Sequence, residues 1–151
     1  MDLRFVYSMI IFTFFVMIFE VFGLSYKFHE IGHYLVGIML GGDCWIRETE
    51  GAILTECRMP ESPFIPLFYA GGILAELILA TFFLLIPETS PCGGYWYFVM
   101  GYNLLAKSYH VDLQKLGLVI LEQAPFNLIF FILGSMVFAF SFFYAYEKIK
   151  K

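Results

Sequence analysis

At the centre of a long apolar stretch stands Phe28-His29-Glu30-Ile31-Gly32-His33-Tyr34, which contains the pattern H-E-x-x-H. On a helix, His29 and His33 lie one turn apart on the same face, so their imidazoles can hold one Zn²⁺ ion. Glu30 then stands where a carboxylate takes the proton from a water molecule bound to the metal. The pattern predicts a zinc site with Glu30 as its general base.

Two histidines that merely form hydrogen bonds within a helix bundle are the structural alternative to this metal site. In an apolar membrane segment, a polar side chain is costly unless it pairs, binds a metal or faces a wet cavity. Two imidazoles and one carboxylate share this short segment, and their spacing has a known chemical use. The sequence therefore favours the metal site.

The composition of the chain is that of a membrane protein. Of its 151 residues, 60% are hydrophobic and 15% are charged, and the mean hydropathy is +0.77. Soluble proteins carry charges on roughly a quarter of their residues. The formal net charge of −4 forms no basic stripe, so we expect no nucleic-acid partner. We expect one membrane-embedded domain over residues 1–151.

Apolar runs that approach or exceed the roughly 20 residues of a membrane-crossing helix recur along the chain. They cover about residues 3–40, 63–86, 94–115 and 125–146. At about 1.5 Å per residue the first run extends some 57 Å, so it is either one protruding helix or two spans that meet near Gly23. We expect this run to be retained, because no small-x-small cleavage site follows it. The expected fold is an all-α polytopic membrane protein with four or five transmembrane helices.

A small β-hairpin is predicted over residues 44–57, between the first two runs and after the helix that carries the zinc motif. Its turn is expected at Glu50-Gly51, which places Cys44 opposite Cys57. A disulfide between these two residues requires an oxidising compartment. With Cys92 the cysteine count is odd, and three inert thiols are the other interpretation.

Three segments of the chain resemble the motifs of the site-2 protease family of intramembrane zinc metalloproteases. Phe28 to Tyr34, followed by Gly41-Gly42, is similar to the H-E-x-G-H segment of that family and the glycine after it. The other two are Ala70-Gly71-Gly72-Ile73-Leu74-Ala75-Glu76, which resembles the stretch G-P-x-x-N, and Gly101-Tyr102-Asn103-Leu104-Leu105 with Asp112, which resembles N-L-L-P…D-G. The resemblance covers roughly residues 10–115. It implies one Zn²⁺ per chain, held by His29, His33 and Asp112.

The chain departs from the family pattern in its second and third motifs. Ala106 stands where the family has proline, and Asp112 is followed by leucine where the family has glycine. Glu76 takes the place of the asparagine of the second motif, whereas Asn103 keeps the family residue. The resemblance implies substrate-binding or supporting roles close to the metal for Gly72, Glu76, Asn103 and His110.

The third metal ligand is open between three residues. His110 and Glu76 are alternatives to Asp112, because imidazole and carboxylate groups both suit zinc. Asp112 has a further interpretation as an acidic residue that ends the third span. Glu76 has no basic residue at helical spacing in its run, so we expect it to be protonated, metal-bound or turned toward a water-filled cavity.

The family resemblance implies a protease that hydrolyses peptide bonds in or near transmembrane segments of membrane proteins. It implies a multi-pass protein of a prokaryotic cell membrane whose partners are the lipid bilayer, a transmembrane substrate, and a second copy of the chain or a regulatory membrane subunit. A transmembrane helix hides its carbonyls in its own hydrogen bonds, so the substrate must unwind before attack. An exposed edge of the 44–57 hairpin could capture the unwound segment by strand addition.

A catalytically inactive relative that binds membrane helices as a regulator or chaperone is the main alternative, prompted by the altered second and third motifs. Membrane zincins similar to the prenyl-protein endopeptidases take a downstream glutamate from an E-x-x-x-[ND] helix. Glu76 is followed at that spacing by Ala80, so it does not fit that pattern. A zinc carrier or channel would leave Glu30 without a special role.

Overall fold

The computed structural model describes residues 3–49 and 52–150 and is mainly helical, with one two-stranded antiparallel sheet. The predicted turn at Glu50-Gly51 lies outside the described residues. The elements in chain order are α1 (Leu3–Val21), α2 (Leu24–Met39), β1 (Asp43–Thr49), β2 (Ala52–Arg58), α3 (Ile65–Leu85), α4 (Ser90–Leu105), α5 (His110–Lys115) and α6 (Phe126–Ile149). A short 3-10 helix, Val119–Glu122, joins α5 to α6.

Gly23 divides the first apolar run into two helices. It adopts a left-handed conformation, with φ 57° and ψ 44°, which glycine reaches without a steric penalty. Consequently α1 ends at Val21 and α2 begins at Leu24. Of the two arrangements expected for residues 3–40, the structure has the pair of helices that meet near Gly23.

Among the described residues, three helices are long and apolar enough to cross a membrane, namely α1, α3 and α6. The expected count of four or five is not confirmed. Helices α2 and α4 have 16 residues each. At about 1.5 Å per residue they extend about 24 Å, less than the roughly 30 Å of a bilayer core.

The third apolar run, expected over 94–115, differs from the prediction in its boundaries. Helix α4 begins earlier, at Ser90, and ends at Leu105. Lys107 has a φ of 60°, which is incompatible with a right-handed helix, so the chain turns there. Helix α5 begins separately at His110 and carries Asp112.

Helices α2 and α3 are in backbone contact where they cross at Gly32 and Gly71. A Cβ atom on Gly71 would lie 2.8 Å from the carbonyl oxygen of Gly32, closer than a side chain allows. This close approach places the face of α2 that carries His29 and His33 directly against α3.

Aromatic side chains fill the space between α1, α2, α3 and α4. Trp96 is 1% exposed, and its ring centroid lies 5.1 Å from that of Phe19 and 5.4 Å from that of Phe28. Ala80 and Met100 complete this buried cluster. It anchors α4 beside the middle of α3, and Trp96 thereby reaches the site described below.

The two strands form the predicted hairpin in the predicted register. Cys44 pairs with Cys57, and Ile46 pairs with Thr55. Cys44 and Cys57 are joined by a disulfide, with their Cα atoms 4.1 Å apart, while Cys92 is a buried free thiol on α4. The disulfide interpretation therefore holds in this structure.

Candidate metal centre

His29 and His33 point their Nε2 atoms toward each other from one face of α2. Both side chains are buried, and their Nε2 atoms lie 3.1 Å apart. This spacing follows from the helix itself, since residues four apart stand one above the other on the same face. The predicted pairing of the two imidazoles is present in the structure.

Asp112 completes a triangle of donor atoms. Its Oδ2 lies 2.8 Å from Nε2 of His29 and 3.2 Å from Nε2 of His33. Zinc bonds of 2.0–2.2 Å in tetrahedral geometry separate neighbouring ligand atoms by about 3.3 Å. The two nitrogens and one oxygen therefore converge closely enough for one metal ion to contact all three.

The outer nitrogens of both imidazoles have partners that fix the ring orientations. Nδ1 of His33 lies 2.7 Å from the carbonyl oxygen of Phe68, and Nδ1 of His29 lies 3.1 Å from Oε2 of Glu76. A carbonyl or carboxylate on the far nitrogen is the usual support of a metal-binding histidine, because it leaves Nε2 with a lone pair. Helix α3 supplies both supports.

Glu76 is fully buried in the middle of α3 and is surrounded by hydrogen-bond donors. Besides His29, it accepts hydrogen bonds from the hydroxyls of Tyr109 and Ser25 and from the indole nitrogen of Trp96. The Tyr109 ring also stacks on the His29 ring at 5.2 Å. Glu76 thus contacts the outer nitrogen of His29, opposite the edge that faces Asp112, so it is placed as a support for His29.

Gly72 provides the space in which the metal-facing edge of His29 lies. A Cβ atom at this position would come within 2.6 Å of Nε2 of His29. Because Glu76 holds the ring from its other side, the imidazole has little room to yield. The close approach accounts for a glycine at this point of α3.

Glu30 faces the hairpin. Its Oε2 accepts a hydrogen bond from the backbone amide of Thr55 at 2.6 Å, and its own carbonyl accepts one from the Thr55 hydroxyl at 2.8 Å. One ligand atom each from His29, Glu30 and His33 lie within 4.8 Å of one another. The Glu30 carboxylate is therefore buried beside the imidazole pair.

The remaining predicted site residues lie at different distances from the centre. Asn103 donates a hydrogen bond to the Tyr109 hydroxyl at 3.3 Å and so connects indirectly to Glu76. His110 places its Nδ1 2.7 Å from Oε2 of Glu122. The structure thus engages the His110 ring with Glu122, while Asp112 from the same helix contacts both imidazoles.

A cavity of about 230 Å³ opens beside the imidazole of His29. It combines apolar walls with hydrogen-bonding groups, as ligand clefts commonly do. Its lining includes Phe19, Glu20, Tyr26, Glu76, Val99, Asn103, Ser108 and Tyr109. Of the predicted residues, His29, Glu76 and Asn103 share this cavity.

Several residues of the centre were not predicted from the sequence. Tyr109, Ser25, Trp96 and Thr55 bond to Glu76 or Glu30. Phe68 contributes its backbone carbonyl and packs its ring against His33, with the ring centroids 5.1 Å apart. No residue pattern identifies such partners, because they meet only after α2, α3, α4 and the hairpin have packed. The one signal in the sequence was Glu76 itself, because an acidic residue in an apolar run without a basic residue at helical spacing needs hydrogen-bond partners from elsewhere in the fold.

Comparison of the chain with protein-family models, curated proteins and solved structures finds no match. The resemblance to the site-2 protease family therefore rests on the three motifs in the sequence.

Proposed function

We propose that this protein is a membrane-embedded, metal-dependent peptidase that hydrolyses peptide bonds in or near transmembrane segments of other proteins. The observation that carries the proposal is the convergence of Nε2 of His29, Nε2 of His33 and Oδ2 of Asp112 beside the Glu30 carboxylate. A bundle that merely satisfied two histidines would not need three donor atoms facing one point with a second carboxylate beside them.

One zinc ion per chain is the cofactor that this donor set suits best. Two imidazole nitrogens and one carboxylate oxygen are ligands that zinc accepts in catalytic sites, which keep a fourth position open. When bound, zinc would polarise a substrate carbonyl and acidify a water molecule. Asp112 is the preferred third ligand, because His110 bonds to Glu122 and Glu76 bonds to the outer nitrogen of His29.

Glu30 is the general base of the proposed reaction. Its carboxylate accepts the proton of the attacking water and later returns that proton to the leaving amine. Glu76 and the Phe68 carbonyl keep the protons of His29 and His33 on Nδ1, so that both Nε2 atoms remain free to bind the metal. Tyr109 stacks on the His29 ring, and Trp96 donates a hydrogen bond to Glu76.

Helix α3 is the element that supports placing the proposed site within a membrane. This helix is one of the three with the length and apolarity of a membrane span, and Glu76 lies near its middle. We further propose that α2 and α4, although short, also lie within the bilayer beside α3. The substrate segment must then be unwound. We propose that Asn103, which lines the cavity beside His29, donates a hydrogen bond to the backbone of this segment.

The proposal is tested by metal analysis together with cleavage of single-span membrane proteins in phospholipid vesicles. We expect about one zinc per chain, and we expect Glu30→Gln to keep the metal while cleavage falls by about 10² to 10⁴-fold. Glu48→Gln makes the same change at an exposed position of β1 and should cleave like the wild type.

Full cleavage by Glu30→Gln would contradict the assignment of the base. Zinc binding without cleavage of any substrate, combined with retention of the intact single-span proteins, would instead support the inactive, helix-binding relative.

A further inference from the structure

Thr55 of β2 contacts Glu30 at two points. Its amide donates to Oε2 of Glu30 at 2.6 Å, and its hydroxyl donates to the Glu30 carbonyl at 2.8 Å. We propose that Thr55 is a positioning residue for the Glu30 carboxylate and that the Cys44–Cys57 disulfide fixes the strand that carries it. The catalytic part of this inference rests on the function proposed above.

The geometry of the hairpin leaves the Thr55 amide available for this bond. In an antiparallel pair, residues of the narrow, non-hydrogen-bonded type direct their amides away from the partner strand. Cys44 and Cys57 have the short Cα separation of that type, at 4.1 Å. Thr55 lies two residues from Cys57, so its amide also points outward, toward α2.

This arrangement restricts where a substrate could add to the sheet. The outer edge of β2 is occupied at Thr55 by Glu30. The predicted strand addition would therefore use the outer edge of β1, and β2 would serve the catalytic carboxylate.

The disulfide between β1 and β2 packs directly against α2, the helix that carries the H-E-x-x-H motif. A Cβ atom on Gly37 would come within 2.6 Å of Sγ of Cys57 and within 3.3 Å of the Phe68 ring. Gly37 is one helical turn after His33, on the same face. The disulfide therefore holds β2 against the same segment of α2 that presents His33, and a Cβ on Gly37 would push it away.

Positioning matters because a glutamate side chain is flexible. A general base must lie within hydrogen-bond reach of the proton that it takes, and a misplacement of about 1 Å can cost about 10²-fold in rate. The Thr55 amide supplies a fixed donor that selects one orientation of the carboxylate. The Thr55 hydroxyl fixes the backbone of Glu30 by its hydrogen bond to the Glu30 carbonyl.

The first test requires no catalysis. Amide hydrogen exchange is measured by NMR on the full chain in lipid nanodiscs, without metal and with zinc. We expect the Thr55 amide to exchange at least about 10-fold faster in Glu30→Ala than in the wild type, and within about threefold of it in Glu30→Gln, because a glutamine oxygen still accepts the bond. The Ile53 amide, on the same strand edge, should not change. Unchanged exchange at Thr55 in Glu30→Ala would overturn the proposal.

The second test separates positioning from substrate binding. Thr55→Pro removes both donors to Glu30, the amide and the hydroxyl, without removing a ladder bond, because the amide points away from β1. We expect kcat to fall about 10 to 100-fold with KM within twofold of the wild type and unchanged zinc content. Thr55→Ser keeps both donors, so its kcat should lie within about threefold of the wild-type value. Ile53→Pro places a proline on the same strand edge and controls for that change.

The double variant Cys44→Ser/Cys57→Ser is the test that leaves Thr55 itself intact. We expect a lower kcat, faster exchange of the Thr55 amide and unchanged zinc content. A raised KM with unchanged kcat in Thr55→Pro would assign Thr55 to substrate capture and overturn the proposal. If the wild-type chain cleaves nothing, the proposed function fails, and the exchange experiment still decides the link between Thr55 and Glu30.

Discussion

Glu76→Gln replaces one oxygen of a buried carboxylate by an NH₂ group and keeps the size of the side chain. Oε2 faces Nδ1 of His29 at 3.1 Å and the Tyr109 hydroxyl at 2.7 Å. A glutamine that keeps its oxygen on that side turns its NH₂ group toward Ser25 and toward the indole N–H of Trp96. The Ser25 hydroxyl can rotate and accept a hydrogen bond, but the indole of Trp96 can only donate one.

Two separate losses follow from this exchange. A hydrogen bond to a charged group contributes about 1.5–3 kcal/mol and a neutral one about 1 kcal/mol, so the support of His29 weakens by about 0.5–2 kcal/mol. The upper part of that range overlaps the roughly 10 to 100-fold loss in metal affinity that is usual for such outer partners. The unpaired indole of Trp96 lowers the free energy of unfolding by a further amount of about 1–3 kcal/mol.

The assay is competition for zinc against a chromophoric chelator in detergent, together with thermal unfolding of the metal-free protein. Glu122→Gln is the matched control, because Glu122 is 2% exposed and bonds to a histidine, His110, that does not face the other imidazoles. We expect zinc affinity to fall in Glu76→Gln and to stay unchanged in Glu122→Gln. Equal affinity of Glu76→Gln and the wild type would refute the role of Glu76 as the support of His29.

Three further changes have defined outcomes. Gly72→Ala puts a Cβ 2.6 Å from Nε2 of His29 and should weaken zinc binding by about 10-fold or more in the same competition assay; unchanged affinity would show that the ring can move. Asp112→Asn replaces the anionic oxygen near both imidazoles and should leave the purified protein well below one zinc per chain by elemental analysis, whereas full zinc content would exclude Asp112 as a ligand. The Arg4 guanidinium bonds to Glu88 and lowers the pKa of that carboxyl below its usual 4.5, so the pair stabilises the fold above that pKa and ceases to do so as the pH falls through the lowered value. Arg4→Ala should therefore lower the melting temperature slightly at neutral pH, because so exposed a pair contributes less than about 1 kcal/mol to stability. The decrease in melting temperature should be smaller in strong acid, where Glu88 is neutral.

The parts of the fold that the sequence predicted are those set by local chemistry. The sequence left two arrangements open for residues 3–40, and Gly23 is where the break occurs because only glycine reaches its left-handed conformation easily. The hairpin register follows from counting outward from a two-residue turn, which is independent of the rest of the chain. The end of α4 was not predictable in this way, since Lys107 adopts its positive φ without being glycine or asparagine.

The candidate site likewise contains some relations that local chemistry predicts and others that depend on how the helices pack. The relation between His29 and His33 is a property of any α-helix, and Asp112 entered through its place in a family motif. The partners of Glu76 lie 51, 20 and 33 residues away along the chain, at Ser25, Trp96 and Tyr109. Such contacts depend on how helices cross, and the crossing at Gly32 and Gly71 is not encoded in any single motif.

The charges of the centre explain why one carboxylate supports a histidine while another is available to a metal. Glu30, Glu76 and Asp112 converge here, and their partners are imidazoles, hydroxyls, an indole and a backbone amide. Because an uncompensated charge in an apolar setting costs several kcal/mol, each carboxylate needs its own compensation. Glu76 obtains it from four donors and so is already satisfied by the fold. Among the described residues, Oδ2 of Asp112 bonds only to the two imidazole nitrogens that would bind the ion. A divalent cation between them would therefore stabilise Asp112 far more than Glu76.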